Sequence, residues 1–328
     1  MAEWRRRCGK HMIVTGPELR YLQQAWLVAL LIGLASLLQA QPTDTCENRM
    51  VAVNVRDHQG RFVAGLTPAS FQAKSQGHPV TVSAANVGSA PRIMLLLKVS
   101  GSVSSFPQRW EIERQIAGSV LTSSHGNTNV ALALFASEIV ESLDFSNSPE
   151  SVLRRIQQLN DIDKLVPKGK RRTALYDSLL QSLGLFGTPV VGDAVYVISD
   201  AGEGISLATT GEVERALLTK GVRVYVFMLH TGYVYPEEVA VPTLANFAEA
   251  TGGRFVAVQG AGPQLEADLK GVYAQTTQFY RLDLRTVGEK EQAWSLEVVD
   301  DKGKRRKDVI VTYPHELPAC VLSTGKDK

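Results

Sequence analysis

Two serines one residue apart, Ser100 and Ser102, follow the apolar run Ile93 to Leu97, and Lys98 closes that run. Thr173 stands between a basic stretch and a helical pattern, and Asp200 follows a second apolar run, Val195 to Ile198. Hydroxyls grouped with a carboxylate can hold a hard cation, which prefers oxygen ligands. They can also serve acyl or phosphoryl transfer, which requires a general base within reach. Lys98 bears on both. An ammonium beside a cation position costs on the order of 4 kcal/mol per unit charge at ~4 Å and an effective dielectric near 20, whereas it would attract a phosphate. Lys98, Ser100, Ser102, Thr173 and Asp200 are therefore the candidate ligand-binding set, with a Lys98–Asp200 ion pair expected where a metal would sit. The alternative is a phosphate-handling hydrolase using Ser100, Ser102 and Asp200, whose weakness is that no other base is evident.

A basic cluster, Lys168, Lys170, Arg171 and Arg172, with Lys164 just before it, precedes Thr173. Placed beside Lys98, it would make a positive face that suits an acidic protein partner. The run Lys304 to Lys307 reads instead as charge protecting an exposed strand edge. Enzyme motifs are absent: there is no G-x-G-x-x-G after the first apolar run, no G-x-x-x-x-G-K-S/T and no G-x-S-x-G around Ser102. The six histidines are scattered without ligand spacing; His230 ends a strand pattern and is read as an edge residue. Tyr225, Phe227 and Met228 read as core.

These residues need a frame. Between residues 91 and 276, continuously apolar runs alternate with helical patterns, such as Leu175, Leu179 and Leu183, or Thr209 and Glu212 at capping-box spacing before Val213 and Leu217. That alternation predicts an α/β unit with a doubly wound, mostly parallel six-stranded sheet in the order 3-2-1-4-5-6, one edge being an antiparallel hairpin over 130–143. In such a sheet ligands bind beyond the carboxyl ends of the strands, where the strand order reverses, which is where Ser100, Ser102 and Asp200 fall. The flanks, 47–90 and 277–318, show period-two alternation, as in Tyr280, Leu282 and Leu284. Neither can bury a sheet face alone, so together they should form one small β-sandwich into which the α/β unit is inserted. Residues 319–328 are a tail.

Residues 1–40 read as a signal peptide or anchor: basic residues, then the apolar stretch Ala25 to Leu38, then Gln39-Ala40. The chain is thus expected to be exported, whether periplasmic, secreted or held at a membrane through an uncleaved leader. The formal net charge is +2 and residues 1–40 carry +3, which leaves −1 on the body, so the body has no field pointing to nucleic acid. Cys46 and Cys320 lie near the two ends of the body, and in an oxidising compartment they can form a single bridge or remain thiols. Three scattered cysteines without C-x-x-C spacing argue against structural zinc.

The set Ser100, Ser102, Thr173 and Asp200 resembles the von Willebrand factor A family, whose metal-ion-dependent adhesion site reads Asp-x-Ser-x-Ser after the first strand, with a later Thr and an Asp after the fourth strand. VRDHQGRFVAGLTPASF before the α/β unit, and TALYDSL and ATGGRF within it, look like bacterial, chiefly acidobacterial, von Willebrand factor A-related proteins. The resemblance covers nearly everything after Glu47. It implies an adhesion or scaffold-type protein-binding module, not an enzyme, and would imply magnesium as cofactor. Lys98 stands where the family has its first Asp, so the site is degenerate, and the expectation is a metal-independent module with no cofactor.

Overall fold

The computed structural model describes residues 45–88, 92–124, 128–188, 190–230, 240–288 and 290–320. The leader reading falls outside the described residues. Among those described, no helix is long and apolar enough to cross a membrane.

The strands are β1 (Thr45–Asp57), β2 (Phe71–Ser75), β3 (His78–Val87), β4 (Arg92–Lys98), β5 (Asn129–Phe135), β6 (Ile139–Leu143), β7 (Ala194–Ser199), β8 (Arg223–Leu229), β9 (Arg254–Val258), β10 (Tyr280–Val287), β11 (Gln292–Val298), β12 (Val309–Thr312) and β13 (Glu316–Leu317). The helices are α1 (Gly101–Ser104), α2 (Pro107–Ser123), α3 (Pro149–Gln158), α4 (Ile162–Leu165), α5 (Leu175–Gly184), α6 (Thr210–Lys220), α7 (Ala240–Ala250) and α8 (Pro263–Thr277).

Six strands form one sheet in the order β6-β5-β4-β7-β8-β9, all parallel except the β5–β6 hairpin. Counted within the unit, this is the expected order 3-2-1-4-5-6. Strands β7 and β8 are buried along their whole length because helices cover both faces. Ile93, Leu95 and Leu97 pack beneath α2, α3 and α8, while Met94 and Leu96 pack beneath α5, α6 and α7. Local signals set the helix starts. Ser148 caps α3 by accepting from the Ser151 amide, with Pro149 at the first position. Thr209 and Glu212 close the capping box of α6, which ends on Gly221 in the left-handed region.

The flanks form one antiparallel seven-stranded sheet in the order β12-β1-β10-β3-β2-β11-β13. Its register pairs Val51 with Leu282 and Val53 with Tyr280. The sandwich expected from the two flanks is thus made by a single sheet that curls back on itself. Its ends meet where the Trp294 ring packs edge-on against Tyr313 at 5.1 Å and the Leu296 amide donates to the Tyr313 hydroxyl. Both flanks supply its core, for example Val53, Val55, Phe71, Leu282, Leu284 and Leu296. Cys46 and Cys320 are joined by a disulfide, with Cα atoms 5.7 Å apart, which ties the first strand of this sheet to the chain beyond its last.

The α/β unit leaves and re-enters the curled sheet between two adjacent strands, since Val87 of β3 is the register partner of Tyr280 of β10. Phe279 fills this junction. A Cβ on Gly88 or Gly192 would lie 2.3 or 2.4 Å from its ring, so both positions need glycine. The Arg223 guanidinium stacks on the other side at 4.5 Å and donates to the carbonyls of Gly192 and Thr276.

Candidate functional site

Parallel pairing of Leu97 with Ile198 ends β4 and β7 side by side, so Lys98 and Asp200 emerge together at the reversal point of the sheet. The Lys98 side chain is fully buried and that of Asp200 is 6% exposed. The ammonium Nζ donates to Asp200 Oδ1. The second carboxylate oxygen, Oδ2, accepts from the Ser102 hydroxyl at 2.7 Å and from Arg109 Nη1 at 2.7 Å, and the Gly202 amide adds a bond to Oδ1 at 3.2 Å. Ser100 Oγ lies 3.3 Å from Ser102 Oγ. The turn is held open by Ala201, whose φ of 58° lies in the left-handed region, an uncommon backbone state that tends to gather at functional sites.

Arg109 and Glu113, one turn apart on α2, were not singled out by sequence. Arg109 is 7% exposed, stacks on the Phe106 ring at 4.3 Å and also donates to the Ser102 carbonyl. Glu113 is fully buried, and neither carboxyl oxygen has a hydrogen-bond partner in good geometry. Burial, reinforced by repulsion from Asp200, pushes its carboxyl well above the usual range, while Lys98 and Arg109 offset part of the shift. Burial alone would also raise Asp200. The Lys98 charge and hydrogen bond, with Ser102 and the Gly202 amide, outweigh it and hold that carboxyl below the usual range.

Thr173 is brought to the same place. The loop before it is tied to the serine loop, the Gly101 amide donating to the Arg171 carbonyl at 2.9 Å. Its own carbonyl accepts from the amides of Gly204 and Ile205. Glu203, also missed by sequence, organises this loop. One oxygen accepts from the amides of Gly204, Ile205 and Ser206, the other from Leu175, Tyr176 and the Ser206 hydroxyl, so it occupies the amino end of α5. Between these loops lies a cleft of about 240 Å³ lined by Ser100, Ser102, Arg171, Arg172, Thr173, Glu203 and Gly204.

The basic cluster is only partly assembled as expected. Lys98 lies beneath the surface and adds nothing to the loop face. Lys170 is paired with Glu138 at 2.5 Å and Arg172 donates to the Gly204 carbonyl at 3.1 Å. Lys168 is exposed on a 3-10 turn that spans Lys168–Lys170. His230 is exposed at the end of β8, its amide bonded to the Val258 carbonyl, and Tyr225, Phe227 and Met228 are core.

The strand order is the one that the resemblance implies, and the loops that carry Ser100, Ser102, Thr173 and Asp200 are brought together beyond the ends of β4 and β7. The α/β unit has a von Willebrand factor A-like fold. No protein-family model matches the chain, and no curated protein matches its sequence. Similar solved structures include a von Willebrand factor type A protein from Catenulispora acidiphila, 10% identical over 83% of this chain and 73% of that one, with a TM-score of 0.45. An aerotolerance-related membrane protein from Bacteroides fragilis NCTC 9343 is 15% identical over 57% of this chain and 98% of that one, with a TM-score of 0.43. Proximal thread matrix protein 1 of the mussel byssus is 15% identical over 59% of this chain and 49% of that one, with a TM-score of 0.46.

A von Willebrand factor A site would imply a divalent ion. The donor set does not fit one. The ammonium of Lys98 holds Oδ1, Arg109 and Ser102 use Oδ2, and an ion would have to displace a buried cation to reach the carboxylate.

Proposed function

We propose that the chain is an exported protein-binding module of adhesion or scaffold type that engages its partner through the loop face of the von Willebrand factor A-like unit, without a metal. The observation that carries this reading is the buried Lys98–Asp200 pair at the reversal point of the sheet. The crevice where such a sheet meets its ligand is kept, while the position of a bridging ion is taken by a side chain. The hydrolase alternative lacks a base. Asp200 is held ionised by two cations, Glu113 is sealed from the cleft, and Glu203, which lines it, has both oxygens engaged by loop amides and the Ser206 hydroxyl.

Capture of partners from an exported fraction tests the reading. Capture should persist in EDTA, and reversing Lys168, Lys170, Arg171 and Arg172 to Glu should slow association in a salt-dependent way. Loss of capture in EDTA would overturn metal independence, and unchanged association at low salt would remove the basic loop from the interface.

A further inference from the structure

The cleft beside the ion pair carries an inference about what the loop face recognises, and it rests on the binding reading above. It is lined by three hydroxyl residues, Ser100, Ser102 and Thr173, by Arg171 and Arg172, and by Glu203 and Gly204. Ser100 and Thr173 are 1% and 9% exposed, so their hydroxyls are held by the fold. The Thr173 hydroxyl has no hydrogen-bond partner among the described residues. Among the residues that line the cleft, Arg171 and Arg172 are cationic and Glu203 is the one carboxylate; Arg171 Nε donates to the Val166 carbonyl and Arg172 Nη2 to the Gly204 carbonyl, and Glu203 spends both oxygens on loop amides and the Ser206 hydroxyl. The excess charge is positive and faces hydroxyl donors.

We propose that this cleft is a metal-free oxyanion site for a phosphoryl dianion, with Arg171 and Arg172 supplying guanidinium donors and Ser100 and Thr173 supplying hydroxyl donors. A guanidinium fork matches a tetrahedral oxyanion in charge and in bidentate geometry. A carboxylate offers half the charge and fewer acceptor oxygens, and binds more weakly. Lys98 does not line the cleft; its buried ammonium pairs with Asp200 and so offsets the repulsion that this carboxylate would exert on the anion. The loop also presents Leu207, which is 92% exposed, three residues after Gly204. Its amide, and that of Ala208, are fixed by the Asp177 carboxylate. An apolar side chain next to the phosphoryl group on a peptide would find it there.

The test is calorimetric titration of the full body, without metal and at low ionic strength, with inorganic phosphate, acetate and a phosphoserine peptide. Phosphate should bind, acetate should bind at least about tenfold more weakly, and Arg172→Ala and Thr173→Val should each weaken phosphate about tenfold, corresponding to ~1.4 kcal/mol. Lys304→Ala, on the curled sheet, should leave phosphate binding unchanged. A peptide that binds more tightly than phosphate, with the gain lost in Leu207→Ser, identifies a phosphorylated side chain as the source. Equal affinity identifies the free anion. No binding of phosphate at millimolar concentration, or binding indifferent to Arg172→Ala and Thr173→Val, overturns the inference. Partner capture that survives both variants would separate that failure from the binding reading, which would then stand on other parts of the loop face.

Discussion

Asp200 lies between two cations, its Oδ1 bonded to the Lys98 ammonium and its Oδ2 to Arg109 at 2.7 Å, with all three side chains less than a tenth exposed. A buried charge is stable only when its partners remain. The fold therefore depends on Lys98 in a way that a surface lysine would not show.

Lys98→Met removes one partner and leaves the other charges in place. Unfolding in urea should show a loss of about 3–5 kcal/mol, towards the lower end because Arg109 remains. Adding Asp200→Asn to the same chain should recover a large part of that loss. A loss below about 1 kcal/mol would place the pair among exposed ion pairs.

Two carboxyls in the site titrate in opposite senses. Asp200 is held below its ordinary value, so its contribution is present above the unfolded pKa and is lost as pH falls through the folded one. Glu113 is raised, so the fold keeps its proton and stability declines as pH climbs from the unfolded towards the folded pKa. Glu113→Gln should therefore gain on wild type steadily from acid to alkaline pH in thermal unfolding, with no gain in acid. A difference that does not change with pH would mean that Glu113 titrates as it does in the unfolded chain.

The Cys46–Cys320 bridge should be worth about 2–5 kcal/mol, the usual range for a native disulfide in a small exported domain. Replacing both cysteines by Ser should lower the unfolding midpoint by that amount, and wild type should lose the same on reduction. Quantitative alkylation of both thiols in oxidised protein would reject the bridge.

Much of the fold is legible in the sequence because its strands and helices follow clean periods. Val195 to Ile198 reads as a buried strand, Thr209 and Glu212 mark a helix start, and Tyr280, Leu282 and Leu284 mark a one-faced strand. The curling of the flanks into one sheet is not legible, because period two fixes which face of a strand is buried but not which strands pair. Within the site, Lys98 and Asp200 could be paired by their positions after adjacent strands. Arg109 and Glu113 could not. Their i,i+4 spacing reads as a solvated helix face, and the stripe Ile112, Ile116 and Val120 points elsewhere. In the fold that helix also turns Arg109, Trp110 and Glu113 inward and leaves Ile112 only partly buried. Glu203 escapes for a similar reason: a lone loop glutamate carries no sign that it will bind the amides at the start of α5.

The Lys98 ammonium occupies the place that a metal would take beside Asp200. Calorimetry of magnesium and manganese with wild type and with Lys98→Asp, each with and without EDTA, measures this directly. Wild type should show no binding at millimolar metal. Lys98→Asp should be destabilised without metal, since two carboxylates then crowd one site, and should regain that stability as metal binds the folded state. Clear metal binding by wild type would contradict the account, and failure of Lys98→Asp to gain any metal would show that Ser100, Ser102 and Thr173 no longer hold a metal-binding geometry.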